Sequence, residues 1–128
     1  MRPGYILPVA ALLMAAAVAL GALGAHALRG RLDPGALAIW HTAVDYQAWH
    51  ALALVALGVL QQADPPRRGV ALAAALFVAG IVLFSGSLYL LALGAPRGWG
   101  YATPVGGVAF IGGWLVLAAT LAPGRRGA

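Results

Sequence analysis

Residues 37–60 read LAIWHTAVDYQAWHALALVALGVL, and whether this stretch crosses a bilayer decides the fold. Its first half carries His41, Thr42, Asp45, Tyr46, Gln47 and His50, while Ala51–Leu60 is purely apolar. A helix needs about 20 residues to cross about 30 Å of hydrocarbon. Were the polar half lying flat on the surface, Ala51–Leu60 would be too short to span. The stretch therefore reads as one membrane helix. At about 1.5 Å of rise per residue, Asp45 lies roughly 12 Å and His50 roughly 20 Å from Leu37, which puts His50 near mid-membrane. At about 100° per residue His41 and Asp45 share a face as an i, i+4 pair, Tyr46 and His50 form another, and His41 and His50 point to opposite sides.

Outward from this stretch, charged residues fall only at positions 2, 29, 31, 33, 45, 64, 67, 68, 97, 125 and 126. The gaps between them give spans at Tyr5–Leu28, Leu37–Leu60, Val70–Leu93 and Pro104–Ala122, with Asp45 the one charge inside a span. Composition agrees, since the 128 residues are 62% hydrophobic and 9% charged with a mean hydropathy of +0.90, against about 25% charge in a soluble domain. So few charges cannot cover a soluble globule, and so much apolar residue excludes disorder. The apolar runs are continuous rather than alternating, so they are helices and not barrel strands. Short connections at Gly30 with Asp33-Pro34-Gly35, at Asp64-Pro65-Pro66, and at Gly94 to Gly100 make neighbours antiparallel. The expected fold is all-α, an integral membrane four-helix bundle forming a single membrane domain over 1–128.

An even number of spans places both termini on one side. Arg2, Arg67, Arg68, Arg125 and Arg126 share it, against Arg29, Arg31 and Arg97 opposite, and the positive-inside rule favours cytoplasmic termini. Arg2, the long apolar run and Ala25-His26-Ala27 imitate a signal peptide, but the run is longer than a signal core and reads as the first span. The pI of about 10.8 reflects arginines anchored at helix ends among lipid headgroups, not a basic face for nucleic acid. With no cysteine, disulfides, thiolate metal sites and a cysteine nucleophile are excluded.

This topology gathers the polar residues into the non-cytoplasmic half of the bundle: His26 from span one; His41, Thr42, Asp45, Tyr46, Gln47 and His50 from span two; Ser85, Ser87 and Tyr89 from span three; Thr103 from span four. The other half holds no ionisable side chain within the spans. Polar groups in hydrocarbon pair or line water, so residues meeting at this level are expected to form a hydrogen-bonded network or a hydrated vestibule; a bundle-facing stripe takes in some of the span-two residues but not all, and the network is expected from His26, Tyr46, Gln47, His50, Ser85, Ser87, Tyr89 and Thr103. Small residues serve helix packing: Ala17, Gly21 and Ala25 at four-residue spacing, Gly86, and Gly106, Gly107, Gly112 and Gly113. Trp99 and Tyr101, with Trp40, read as an aromatic belt, and Tyr5 as an anchor on the opposite side.

The runs ALGALGAHAL (19–28), TAVDYQAWHALAL (42–54), FSGSLYLLAL (84–93) and TPVGGVAFIGGWLVL (103–117), in this order, resemble the signature segments of the small membrane family known as domain of unknown function 423, which includes the bacterial relatives of transmembrane protein 256. The resemblance spans nearly the whole chain. It implies a four-helix inner-membrane protein in bacteria with no established activity. It carries over to His26, Tyr46, Gln47, His50, Ser85, Gly86, Ser87, Tyr89, Thr103, Pro104, Gly106 and Gly107. Leu23 stands where an aromatic is usual, and Asp45 falls where the pattern varies.

Each polar candidate has a plain alternative. His26 suits a helix end at the interface better than a ligand. His50 with Tyr46 and Gln47 suits a proton relay or a cofactor in principle, but an interhelical hydrogen bond is the simpler role. His26, His41 and Asp45 supply the ligand types for a metal without an identifiable supporting partner, so no metal or cofactor is expected. Ser85-Gly86-Ser87 lacks a base and an oxyanion hole, and so is a packing element, not a nucleophile. The favoured expectation is a non-enzymatic structural or accessory component of a membrane assembly, in contact with lipids and with further copies or a larger complex. The alternative is a small transporter or ligand-binding protein using a polar vestibule around His50.

Overall fold

The computed structural model describes residues 1–62 and 67–123. The Asp64-Pro65-Pro66 turn and Arg125 and Arg126 of the charge count lie outside the described residues. Helix α1 covers Pro3–Ala25 and α2 covers Pro34–Leu60. A third span, Arg68–Ala92, is built of α3 (Arg68–Gly80), one π-helical turn (Ile81–Ser85) and α4 (Gly86–Ala92). A 3₁₀ turn, Arg97–Tyr101, leads into α5, Ala102–Leu121. The four resulting helices are each long and apolar enough to cross a bilayer, and neighbours run antiparallel, as expected from the short connections.

The ends follow local chemistry. Pro34 opens α2 at a position where no donor is missed, and Asp33 Oδ1 accepts from the Ala36 N–H at 2.9 Å. The third span stops at Gly94, whose φ of +89° suits glycine; Ala95 N–H bonds Leu90 O and Gly94 N–H bonds Leu91 O, the Schellman pattern. Span one ends three residues before the expected Leu28: the Leu28 N–H reaches back five residues to Leu23 O, which unwinds the helix after Ala25.

At the centre, α2 lies against the third span; α1 packs on the far side of α2, and α5 on the third span. The end of the bundle carrying the start of α1 has a core of Ile6, Ala10, Leu54, Leu57, Val70, Ala73, Ala74 and Phe77. Close approach of α5 depends on four glycines, Gly69 and Gly80 of the third span and Gly106 and Gly113 of α5. A side chain at Gly106 would collide with the Phe84 backbone, and one at Gly80 with the Phe110 ring. Outside, Leu12, Val18, Leu52, Val59, Leu72, Val82, Val108, Ile111 and Leu115 are exposed, the apolar surface that a bilayer solvates.

Candidate functional site

Helix α2 organises the polar half because its inward arc, Trp40, Ala43, Gln47, His50, Ala51, Leu54, Leu57 and Gly58, repeats at helical spacing and places an indole, an amide and an imidazole toward its neighbours. His50 is 5% exposed, and its ring stacks on Phe110 of α5 at 3.6 Å between centroids. Its Nδ1 lies 2.7 Å from Tyr46 O and its Nε2 lies 3.1 Å from Trp114 Nε1. A carbonyl only accepts and an indole N–H only donates. The two contacts together therefore assign the neutral tautomer with the proton on Nδ1 and leave neither nitrogen free. Tyr46 and Phe84 complete an aromatic layer with Phe110, and Phe77 meets both His50 and Trp114 edge-on or tilted. This layer fills the space between α2 and α5.

Gln47 joins three spans. Its Nε2 donates to Leu13 O of α1 at 2.8 Å, and its Oε1 accepts from the Tyr89 hydroxyl of the third span at 2.8 Å. Trp40 donates its indole N–H to Leu20 O and packs on the Tyr89 ring. These two α1 carbonyls are reachable because a helical side chain covers the turn N-terminal to itself, and the residues four positions on are Ala17 and Gly24. A side chain at Gly24 would stand 2.7 Å from Trp40 Cδ1.

The two serines serve opposite sides. Ser85 donates to Ala43 O of α2 at 2.8 Å, whereas Ser87 shares a 2.6 Å hydrogen bond with Thr103 of α5. The π-helical turn Ile81–Ser85, which ends on the first of them, adds a residue to the span and re-aims the serine pair relative to Phe77. No buried side-chain polar atom among the described residues lacks a hydrogen-bond partner.

The structure thus joins Gln47 with Tyr89, Ser87 with Thr103, and places Ser85 and His50 on separate contacts; Tyr46 gives its ring and its carbonyl. His26 is exposed at the end of α1 and takes no part. His41 and Asp45 are exposed, away from the inward arc of α2, and stand outside the network, since one helix has a single inward arc; the His41 ring lies at the edge of α1, its Nε2 3.5 Å from where a side-chain carbon at Gly24 would stand. Among the described residues no three His, Cys, Asp or Glu groups gather as a metal site. Asp45 stands between the levels of Ala43, which meets Ser85, and Gln47, which meets Leu13 near the middle of α1. A carboxylate facing lipid near a span's centre costs about 3 kcal/mol on insertion scales.

Packing assignments shift similarly. Gly106 is buried against the third span, but Gly107 and Gly86 would each keep an added carbon 3.9 Å from its nearest neighbour, and Gly21 would keep 3.4 Å from Val44. Ala25 is exposed, one residue out of phase with the contact at Gly24. Trp40 is 2% exposed and belongs to the core instead of the belt, whereas Trp99, Tyr101 and Tyr5 are exposed as belt residues are. Sequence reasoning missed Gly24, Gly58, Gly69, Gly80 and the Trp114 indole; for Trp114 the available signal was its position on the same helix and face as Phe110.

Four apolar spans, with buried polar side chains used to bind helix to helix, define a small polytopic α-helical membrane protein. The chain belongs to the family described as Protein of unknown function (DUF423), whose model matches residues 20–107. It is similar to the UPF0382 membrane protein YwdK of Bacillus subtilis, 46% identical over 101 residues covering 79% of this chain and 82% of that protein. It is also similar to the UPF0382 membrane protein SERP0230 of Staphylococcus epidermidis, 48% identical with 79% and 81% covered. To the UPF0382 inner membrane protein YgdD of Escherichia coli it is 41% identical over 115 residues, covering 86% and 84%. No solved structure matches the chain.

Proposed function

We propose that this protein is a non-enzymatic structural or accessory component of a membrane assembly, seated in a bacterial inner (plasma) membrane with both termini cytoplasmic. The inner-membrane location is supported by the name of its relative YgdD, and the orientation by the arginine count. The observation that carries the functional reading is that the buried polar side chains are spent on one another and on backbone carbonyls. A transport or ligand site needs donors and acceptors left for the ligand, and His50 has both nitrogens engaged. The open groove of about 250 Å³ lined by Val82, Leu83, Gly86, Ser87, Leu90, Trp99 and Ala102 has two polar side-chain groups in its lining, the Trp99 indole N–H, a donor only, and the Ser87 hydroxyl, already bonded to Thr103.

Purification of the full chain in mild detergent, with mass spectrometry of everything retained, tests the reading. The expected result is stable association with protein, no stoichiometric haem, metal or small molecule, and the same retention in a His50→Gln variant. A stoichiometric small molecule lost in that variant would replace this reading with the ligand-binding one.

A further inference from the structure

On α2, Ala38, His41, Asp45, Leu52, Ala56 and Val59 are all exposed. At about 100° per residue His41, Asp45, Leu52, Ala56 and Val59 fall within an arc of about 60°, diametrically opposite the buried face. The stripe runs most of the length of the span. It is apolar except at His41 and Asp45, one helical turn apart, and neither has a hydrogen-bond or ion-pair partner among the described residues. Thr42 beside them is different, since its hydroxyl is bonded to Ala38 O.

A lipid chain offers Asp45 no partner at this depth. The side chain is too short to reach the headgroups by snorkelling, which lysine and arginine manage with their long stems. Something polar must therefore face it. The face itself carries what it needs: a donor-bearing imidazole and an accepting carboxylate. Two copies inserted in the same orientation are related by a two-fold axis along the membrane normal, and such an interface must be self-complementary. Packing α2 against α2 about such an axis keeps each residue level with its own counterpart and leaves the residue one turn away, about 6 Å along the axis, within diagonal side-chain reach, so Asp45 of each copy bonds His41 of the other, twice. Ala38 and Ala56 above and below allow the backbones to approach.

We propose that this face of α2 binds a second copy of the chain through reciprocal His41–Asp45 hydrogen bonds. The proposal rests on the reading of the protein as an assembly component and names its first partner.

The absence of cysteine makes the test clean, because Ala38→Cys introduces a single thiol. Labelled with a thiol-reactive benzophenone and irradiated in bacterial membranes, it captures whichever protein lies against the stripe, and Val18→Cys on the exposed face of α1 serves as control. The expected product is a homodimer adduct, formed about tenfold less in Asp45→Ala, as the loss of two hydrogen bonds gives, and restored in the His41→Asp/Asp45→His exchange. A homodimer indifferent to Asp45→Ala, or not restored by the exchange, overturns the pairing. An adduct with a different protein overturns the second copy but leaves the assembly reading standing. Unconjugated monomer overturns the proposal, and the detergent co-purification then decides the assembly reading separately.

Discussion

The two halves of the bundle are held by different means. The half around Ile6, Leu54, Leu57, Val70, Ala73 and Ala74 is packed by shape alone, while the half around Trp40, Ala43, Gln47, Ser85, Ser87 and Tyr89 is tied by directional bonds across every pair of neighbouring spans. In lipid, apolar side chains gain little by leaving one hydrocarbon for another, so shape fit holds helices without strongly fixing their rotation. Hydrogen bonds to particular carbonyls fix rotation and level. One pair of glycines illustrates the contrast. A side chain at Gly106 in the polar half meets backbone, whereas one at Gly58 in the apolar half meets the flexible Leu7 side chain. Gly106→Ala is expected to cost about 3 kcal/mol, at the upper end for overpacking. Gly107→Ala should be nearly neutral. Unfolding in mixed micelles on titration with sodium dodecyl sulfate measures both, and equal costs would remove the distinction.

Phe77→Ala probes the apolar half. Transfer from water contributes little in a bilayer, which leaves the cavity, about 2 kcal/mol for a ring-sized void. Gln47→Leu probes the polar half at nearly constant volume. It deletes the bonds to Leu13 O and Tyr89 and leaves a half-buried hydroxyl unpaired, at an expected cost of about 1 kcal/mol. Adding Tyr89→Phe to Gln47→Leu should cost less than the sum of the two single changes. Strict additivity would mean the Tyr89–Gln47 bond carries no coupling.

These contrasts also mark what the sequence can reveal. Charge gaps located the four spans because a charge inside hydrocarbon is costly at any rotation. Rotation about each helix axis was less legible. Valine and leucine suit both core and lipid, so hydropathy does not tell the inward arc of α2 from the outward one. Helical spacing sets His41 opposite to His50, but which of the two faces the bundle is decided by the neighbouring spans. Trp40 was assigned to the belt because its position near a helix start suits either role; the deciding fact, Gly24 making room for its ring, belongs to another span. The π-helical turn leaves no compositional mark.

The smallest effect isolates the bond that joins the two halves. His50 sits between them, with Phe77 on one side and Tyr46 on the other, and Trp114 Nε1 donates to its Nε2. Trp114→Phe keeps a ring in place and removes that donor. Double-mutant cycles in membrane helices average about 0.6 kcal/mol per interhelical bond, and a loss of this order is expected. Stability alone would not separate this from altered packing. The tautomer does: with the Tyr46 carbonyl still accepting from Nδ1, the proton stays on Nδ1 in the variant, and ¹⁵N shifts of the imidazole should show Nε2 as an unprotonated nitrogen whose hydrogen bond has been lost. A wild-type spectrum with the proton on Nε2 would require Trp114 to face another donor. That would break the inference that the imidazole is held from both sides.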